Sequence, residues 1–106
     1  MIQVAYERES HRLTVKGHAQ SAVKGKDLIC AAVSTLVFTL AQNIYELEDK
    51  GFLTEHVVKL DEGDAELACD GQYHRCYKLV FDTICTGLEL LAAEYPDNVI
   101  YIEVEG

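Results

Sequence analysis

The chain has few basic residues, a single proline, no Cys-x-x-Cys pair and no apolar run long enough to span a bilayer. Nine lysines and arginines stand against eighteen aspartates and glutamates, a formal net charge of −9. Such a field repels phosphate backbones, which argues against direct nucleic-acid binding, and it steers basic proteins or peptides toward the surface. The same charge also serves solubility. One proline, with 49% apolar and 25% charged residues, is the composition of a globular chain and not of a disordered tail. The most apolar segment, Leu28 to Ala41, is fourteen residues long and holds Ser34, Thr35 and Thr39, whereas a bilayer span takes about 20. It reads as a core helix, and no membrane contact is expected. Glu7 and Arg8 interrupt the N-terminal stretch before any run of signal-peptide length, so a cytoplasmic protein is expected. In that compartment Cys30, Cys69, Cys76 and Cys85 stay reduced and build no disulfide framework. No histidine stands at ligand spacing from Cys69, Cys76 or Cys85, and neither a metal nor a cofactor is expected.

What the chain does contain is a single domain over residues 1–106, built around one core. Two short β-like segments, 2–7 and 11–16, flank the polar "RES" and read as a hairpin. Residues 19–26 carry no apolar period and include Gly25, the pattern of a connection. Asp27 is placed to cap a helix that runs to about Asp49, with Ile29, Val33, Leu36, Val37, Leu40, Ile44 and Leu47 at spacings of three and four. Leu28, Ala31, Ala32, Phe38 and Ala41 make a second apolar face, so this helix needs cover on both sides, from a second helix and from a second subunit. Segments 54–60 and 65–70 pair around the turn "DEGD", with Ala65, Leu67 and Cys69 on one face. A helix over 72–94 follows, with Tyr73 and Tyr77 expected in the core, and "NVIYIEVEG" closes the chain as a strand. The expected fold is α+β, in the order ββαββαβ, an antiparallel or mixed sheet packed with two helices.

The chemistry concentrates in "GHAQSAVKGKDLICAAVS", residues 17–34, where His18 and Cys30 are twelve positions apart. Cys30 falls near the helix start, where unpaired N–H groups and the positive end of the dipole favour a thiolate, the nucleophilic form. A histidine brought over the helix start by the intervening loop could take the thiol proton and later supply it to a leaving group. The amides of Cys30 and Ala31 are expected to be free to hold an oxyanion. Ser34, one turn on, either orients the thiol or bonds back into its own helix. An inert cysteine opening a core helix accounts for the same residue types. Cys69 is expected to face the core, and Cys76 and Cys85 to point to opposite sides of one helix. His11, His56 and His74 read as solvated or locally bonded side chains.

The stretch "GHA", the loop with Gly25, "GKDLICAAVS", the interval of twelve and the element order together resemble the ribosomal-processing cysteine proteases, often called Prp. The resemblance implies that His18 and Cys30 are the catalytic pair of a cysteine endopeptidase. Asp27 and Ser34 correspond to the family's aspartate and serine around the cysteine, and Gly17 and Gly25 to glycines of the motif. It further implies an α+β homodimer that removes an N-terminal extension from the precursor of a large-subunit ribosomal protein, cutting after an aromatic residue and before a small one. The loop between His18 and Cys30 would move to admit the peptide. A basic ribosomal substrate suits the acidic chain. Two other readings fit the sequence: a non-catalytic acidic escort of a basic ribosomal protein, and, more weakly, a thiol-dependent enzyme acting on thioesters.

Overall fold

Alternation of apolar side chains builds the sheet. In β1 (Ile2–Glu7) Ile2, Val4 and Tyr6 are buried while Gln3 is exposed, and in β2 (Arg12–Lys16) Leu13 and Val15 are buried in the same way. The two strands pair antiparallel with Val4 opposite Val15. The chain then enters α1 (Lys26–Asp49), returns through β3 (Glu55–Asp61) and β4 (Asp64–Asp70), crosses α2 (His74–Glu94) and ends in β5 (Val99–Val104). In the computed structural model the described residues are 1–18 and 26–105, without the side chains of Lys26 and Asp27. The five strands form one mixed sheet in the order β3-β4-β2-β1-β5, in which only β1 and β5 run parallel. This is the expected ββαββαβ α+β arrangement, a sheet packed with two helices.

Helix α1 buries one stripe, Ile29, Val33, Val37, Leu40, Ala41 and Ile44. It stops where Gly51 takes a φ of 75°, and the Phe52 amide donates to the Leu47 carbonyl (2.9 Å) while the Gly51 amide donates to the Glu48 carbonyl (2.9 Å). Those two bonds are the Schellman closure, which needs a residue free to adopt the left-handed conformation. By length and composition, Leu28–Asp49 could cross a membrane; in the fold its buried stripe belongs to the core shared with the sheet and α2.

Helix α2 contributes Tyr77, Phe81, Ile84, Cys85 and Leu88. Phe81 stacks on Tyr6 with ring centroids 6.0 Å apart, and the Tyr77 hydroxyl donates to the Gly71 carbonyl (3.0 Å). That bond satisfies the one polar atom of a fully buried ring. Tyr73 departs from expectation. It precedes the helix, is 47% exposed and lies against Phe52 instead of in the core. The second apolar face of α1 is open in the single chain at Leu28, 73% exposed, and Phe38, 57% exposed, while Ala41 is buried.

Replacing Phe81 by alanine removes a fully buried ring that stacks on Tyr6 and should cost about 3–5 kcal/mol. Glu89→Ala, at an exposed position of the same helix, should stay within about 0.5 kcal/mol. Urea unfolding of the two variants beside the parent chain measures both.

Candidate active site

Strand β2 ends at Lys16, and Gly17 turns the chain with a φ of 95°. Its hydrogen faces the backbone carbonyl of Met1 so closely that a methyl group there would collide with that oxygen. The Gly17 amide donates to the carbonyl of Gly63 (2.9 Å), tying the exit of β2 to the β3–β4 turn. The terminal amino group of Met1 donates to the carbonyl of His18. His18 is thus held through its backbone, and its exposed imidazole lies over the turn.

The turn is the sequence "DEGD". Asp61 pairs with Asp64, which leaves Glu62 and Gly63 as the two loop residues, and Gly63 has a φ of 71°. A positive φ at the second loop position is the type II pattern, which selects glycine. Lys59 bridges the two flanking carboxylates, at 2.9 Å from Asp64 and 3.8 Å from Asp61. The hydrogen bond from the Lys59 ammonium holds the Asp64 carboxyl below its usual range.

Cys30 comes to the same place from α1. It is half-buried, and a cavity of about 410 Å³ takes in Gly17, His18, Cys30, Ser34 and Gly63. Ile2, Val15, Val33, Val37, Phe38 and Leu60 supply apolar walls, and Asp61, Glu62 and Asp64 an acidic rim. Thus the structure gathers His18, Cys30, Ser34 and Gly17 at one cavity. Among the described residues no hydrogen bond joins His18 to Cys30. Bonds between a nucleophile and its base tighten when substrate is bound. Ser34 makes no bond back to a described residue of its helix, unlike Thr35 and Thr39, which donate to Ala31 (2.8 Å) and Thr35 (2.6 Å).

Two expectations about the helix start are corrected. The helix begins at Lys26, so Asp27 lies inside its first turn and not at the capping position ahead of it. Cys30 is then the fifth helical residue, beyond the four unpaired amides of a helix start. The amides of Cys30 and Ala31 are therefore spent within the helix and do not form the anticipated oxyanion cradle. Gly25, the loop 19–25 and the side chain of Asp27 lie outside the described residues.

The other cysteines stand apart from the cavity. Burial pushes the thiols of Cys69 and Cys85 up to about 12, so both stay protonated near neutrality. Cys76 is exposed, on the side of α2 away from Cys85, as the spacing implied. At the opposite end of the strands a second cavity of about 300 Å³ gathers His11, His56 and His74. There the structure differs from the sequence reading for His11. Its ring meets Tyr77 edge-on at 4.8 Å, its backbone has a φ of 50°, and its buried Nε2 has no partner among the described residues. Burial, then the nearby His74, lowers its affinity for a proton. His56 is within 3.3 Å of Glu48. Among the described residues no three His, Cys, Asp or Glu side chains are grouped to hold a metal ion.

The residues that sequence reasoning missed are those of the β3–β4 turn and Phe38. A glycine flanked by acids signals a turn; that the turn walls the His18 and Cys30 cavity is set by strand order.

Comparison with known proteins adds a family. Residues 1–100 match the family described as cysteine protease Prp. The ribosomal processing cysteine protease Prp of Mycoplasma genitalium is 27% identical over 95 residues, 86% of each chain. Among solved structures, the S. aureus ribosomal processing protease Prp with a covalently linked product peptide superposes with a TM-score of 0.77 at 20% identity, covering 98% of this chain and 100% of that one. The S. aureus protein with a substrate peptide gives 0.74 at 17% identity, covering 97% of each. At these identities the likeness establishes the fold.

Alkylation with iodoacetamide at about pH 8, resolved by peptide mass, should modify Cys30 and Cys76 in the folded protein and leave Cys69 and Cys85 untouched until it unfolds. The folded state keeps two protons that the unfolded chain releases from about 9 upward, so stability should be intact below that pH and fall as it rises toward about 12. Urea midpoints across that range, compared between the parent and Cys69→Ala, read the effect.

Proposed function

The chain belongs to the cysteine protease Prp family, and on that premise we propose that it removes an N-terminal extension from the precursor of a large-subunit ribosomal protein, with Cys30 as nucleophile and His18 as its base. The observation that carries the reading is the single cavity that takes in both side chains, one from the end of β2 and one from α1. His18 takes the proton of the Cys30 thiol, and Sγ attacks the scissile carbonyl. The tetrahedral adduct collapses as the imidazolium gives its proton to the leaving amine, leaving a thioester on Cys30. Water, deprotonated by His18, then cleaves the thioester and restores the thiol.

The name of the Mycoplasma genitalium relative and the substrate peptide bound to the S. aureus protein support a ribosomal substrate. The net charge of −9 and the acidic rim of the cavity favour a basic one. Apolar walls suit a large apolar side chain at the cut, and Asp27, Ser34 and Gly25 are proposed as supporting or gating residues by their place in the motif. We also propose a cytoplasmic homodimer. Four free cysteines fit a reducing compartment. Exposed Leu28, Phe38 and Tyr45 on α1, with Leu79 and Leu90 on α2, leave apolar surface for a second copy to cover.

The test is to incubate the host's own ribosomal precursor with wild-type protein, Cys30→Ser and His18→Ala, and to weigh the products. Wild type should shorten the precursor and Cys30→Ser should leave it whole. His18→Ala should cut on the order of 10²–10⁴ times more slowly. Cleavage by Cys30→Ser would overturn the mechanism.

A further inference from the structure

We infer that Gly63, in the β3–β4 turn, is a positioning residue for the imidazole of His18, an inference that rests on the His18–Cys30 reading above. The absence of a side chain at this position makes the space in which the ring lies. A methyl group on Gly63 would come within 2.5 Å of His18 Nε2, 3.0 Å of Cε1 and 3.3 Å of Cδ2. Real carbon contacts to a ring are near 3.5–4.0 Å, so ring and methyl cannot both keep their places. The Nε2 corner of the ring is therefore seated on the turn.

A second contact makes the seat rigid. The carbonyl of Gly63 accepts the amide of Gly17, the residue just before His18. One residue of the turn thus fixes the backbone that leads into the histidine and limits where the ring can lie. Movement of the turn would carry both together. The carbonyl of His18 is held from the other side by the Met1 amino group. What remains free is the side-chain rotation of His18, and the bare backbone of Gly63 bounds it.

Glycine is also required here by the turn itself, whose φ of 71° L side chains rarely adopt. The two reasons separate by substitution. Gly51 has nearly the same φ, 75°, but open space where a side chain would go. Gly51→Ala therefore carries the backbone strain without a collision. Asparagine tolerates the left-handed conformation, so Gly63→Asn relieves the strain while keeping the collision.

The experiment measures kcat and KM on a peptide spanning the precursor junction, melting temperature, and the pH profile of Cys30 alkylation, for Gly63→Ala, Gly63→Asn, Gly51→Ala and His18→Ala. Both Gly63 variants should lose on the order of 10²-fold in kcat, the loss that a displacement of about 1 Å brings to a catalytic group. Their Cys30 alkylation profiles should converge on that of His18→Ala. Gly51→Ala should melt lower by a similar amount to Gly63→Ala and keep the wild-type kcat and profile. Gly63→Asn with wild-type kcat and profile, while His18→Ala is inactive, overturns the positioning role and leaves the catalytic pair standing. Full activity in His18→Ala overturns the pair itself.

Discussion

The cleft depends on the pairing of β2 along both edges. β2 is hydrogen-bonded to β1 on one side and β4 on the other, with Val15 opposite both Val4 and Ala65 and Lys16 opposite Asp64. A slip of one residue would turn Leu13 and Val15 out of the core, so the register is fixed by burial on one face. That register decides where the strand runs out. Lys16 is level with Asp64, the first residue after the turn, so the next residue, Gly17, meets Gly63. His18 follows, already over the turn. No direct bond to Cys30 is needed to bring it there.

Cys30 is placed by a different mechanism. The stripe of α1 that faces the core includes Ile29, Val33 and Val37, and a residue one step round from that stripe sits at the margin between core and solvent. Cys30 occupies that margin, with Ser34 one turn below it, and both line the cavity. Sheet register sets one partner and helix packing sets the other, so their separation depends on how α1 lies against the sheet. Val33, Val37 and Val15 line the same cavity. The same apolar contacts that stabilise the fold therefore set the reach between imidazole and thiol.

Periodicity made the elements legible, because it reflects which side chains are buried and needs only local sequence. Alternation in "IQVAYE" and "DAELACD", and the three-and-four spacing from Ile29 to Leu47, gave strands and helices with bounds close to those observed. Legibility failed where the answer depended on what lies across space. Tyr73 fits the helical period of α2 yet precedes the helix and meets Phe52. His11 reads as a turn residue, and only the approach of Tyr77 from α2 buries its Nε2. The first residue of α1 is not legible because a polar connection leading into a helix has no apolar period to mark it, and the pairing of the Cys30 and Ala31 amides depends on that residue. His18 and Cys30 themselves were named from a motif, while Gly63 escaped, since a missing side chain has meaning only against the neighbour that uses the space.

The distribution of charge around the cavity separates two tasks. Asp61, Glu62 and Asp64 stand at its rim with Lys59 bridging the two aspartates, so negative charge concentrates on one side of the cavity. Ion pairs at such exposed positions add little to stability, but a rim of one sign set beside low-dielectric walls raises the local concentration of an oppositely charged partner. Inside the rim the walls are Ile2, Val15, Val33 and Val37, which offer burial of apolar surface, an interaction insensitive to salt. Salt therefore acts on the charged rim and not on the apolar walls. The turn that gathers the charge is also the turn on which His18 rests, so the acidic rim and the seat of the imidazole share one short stretch, Asp61 to Asp64.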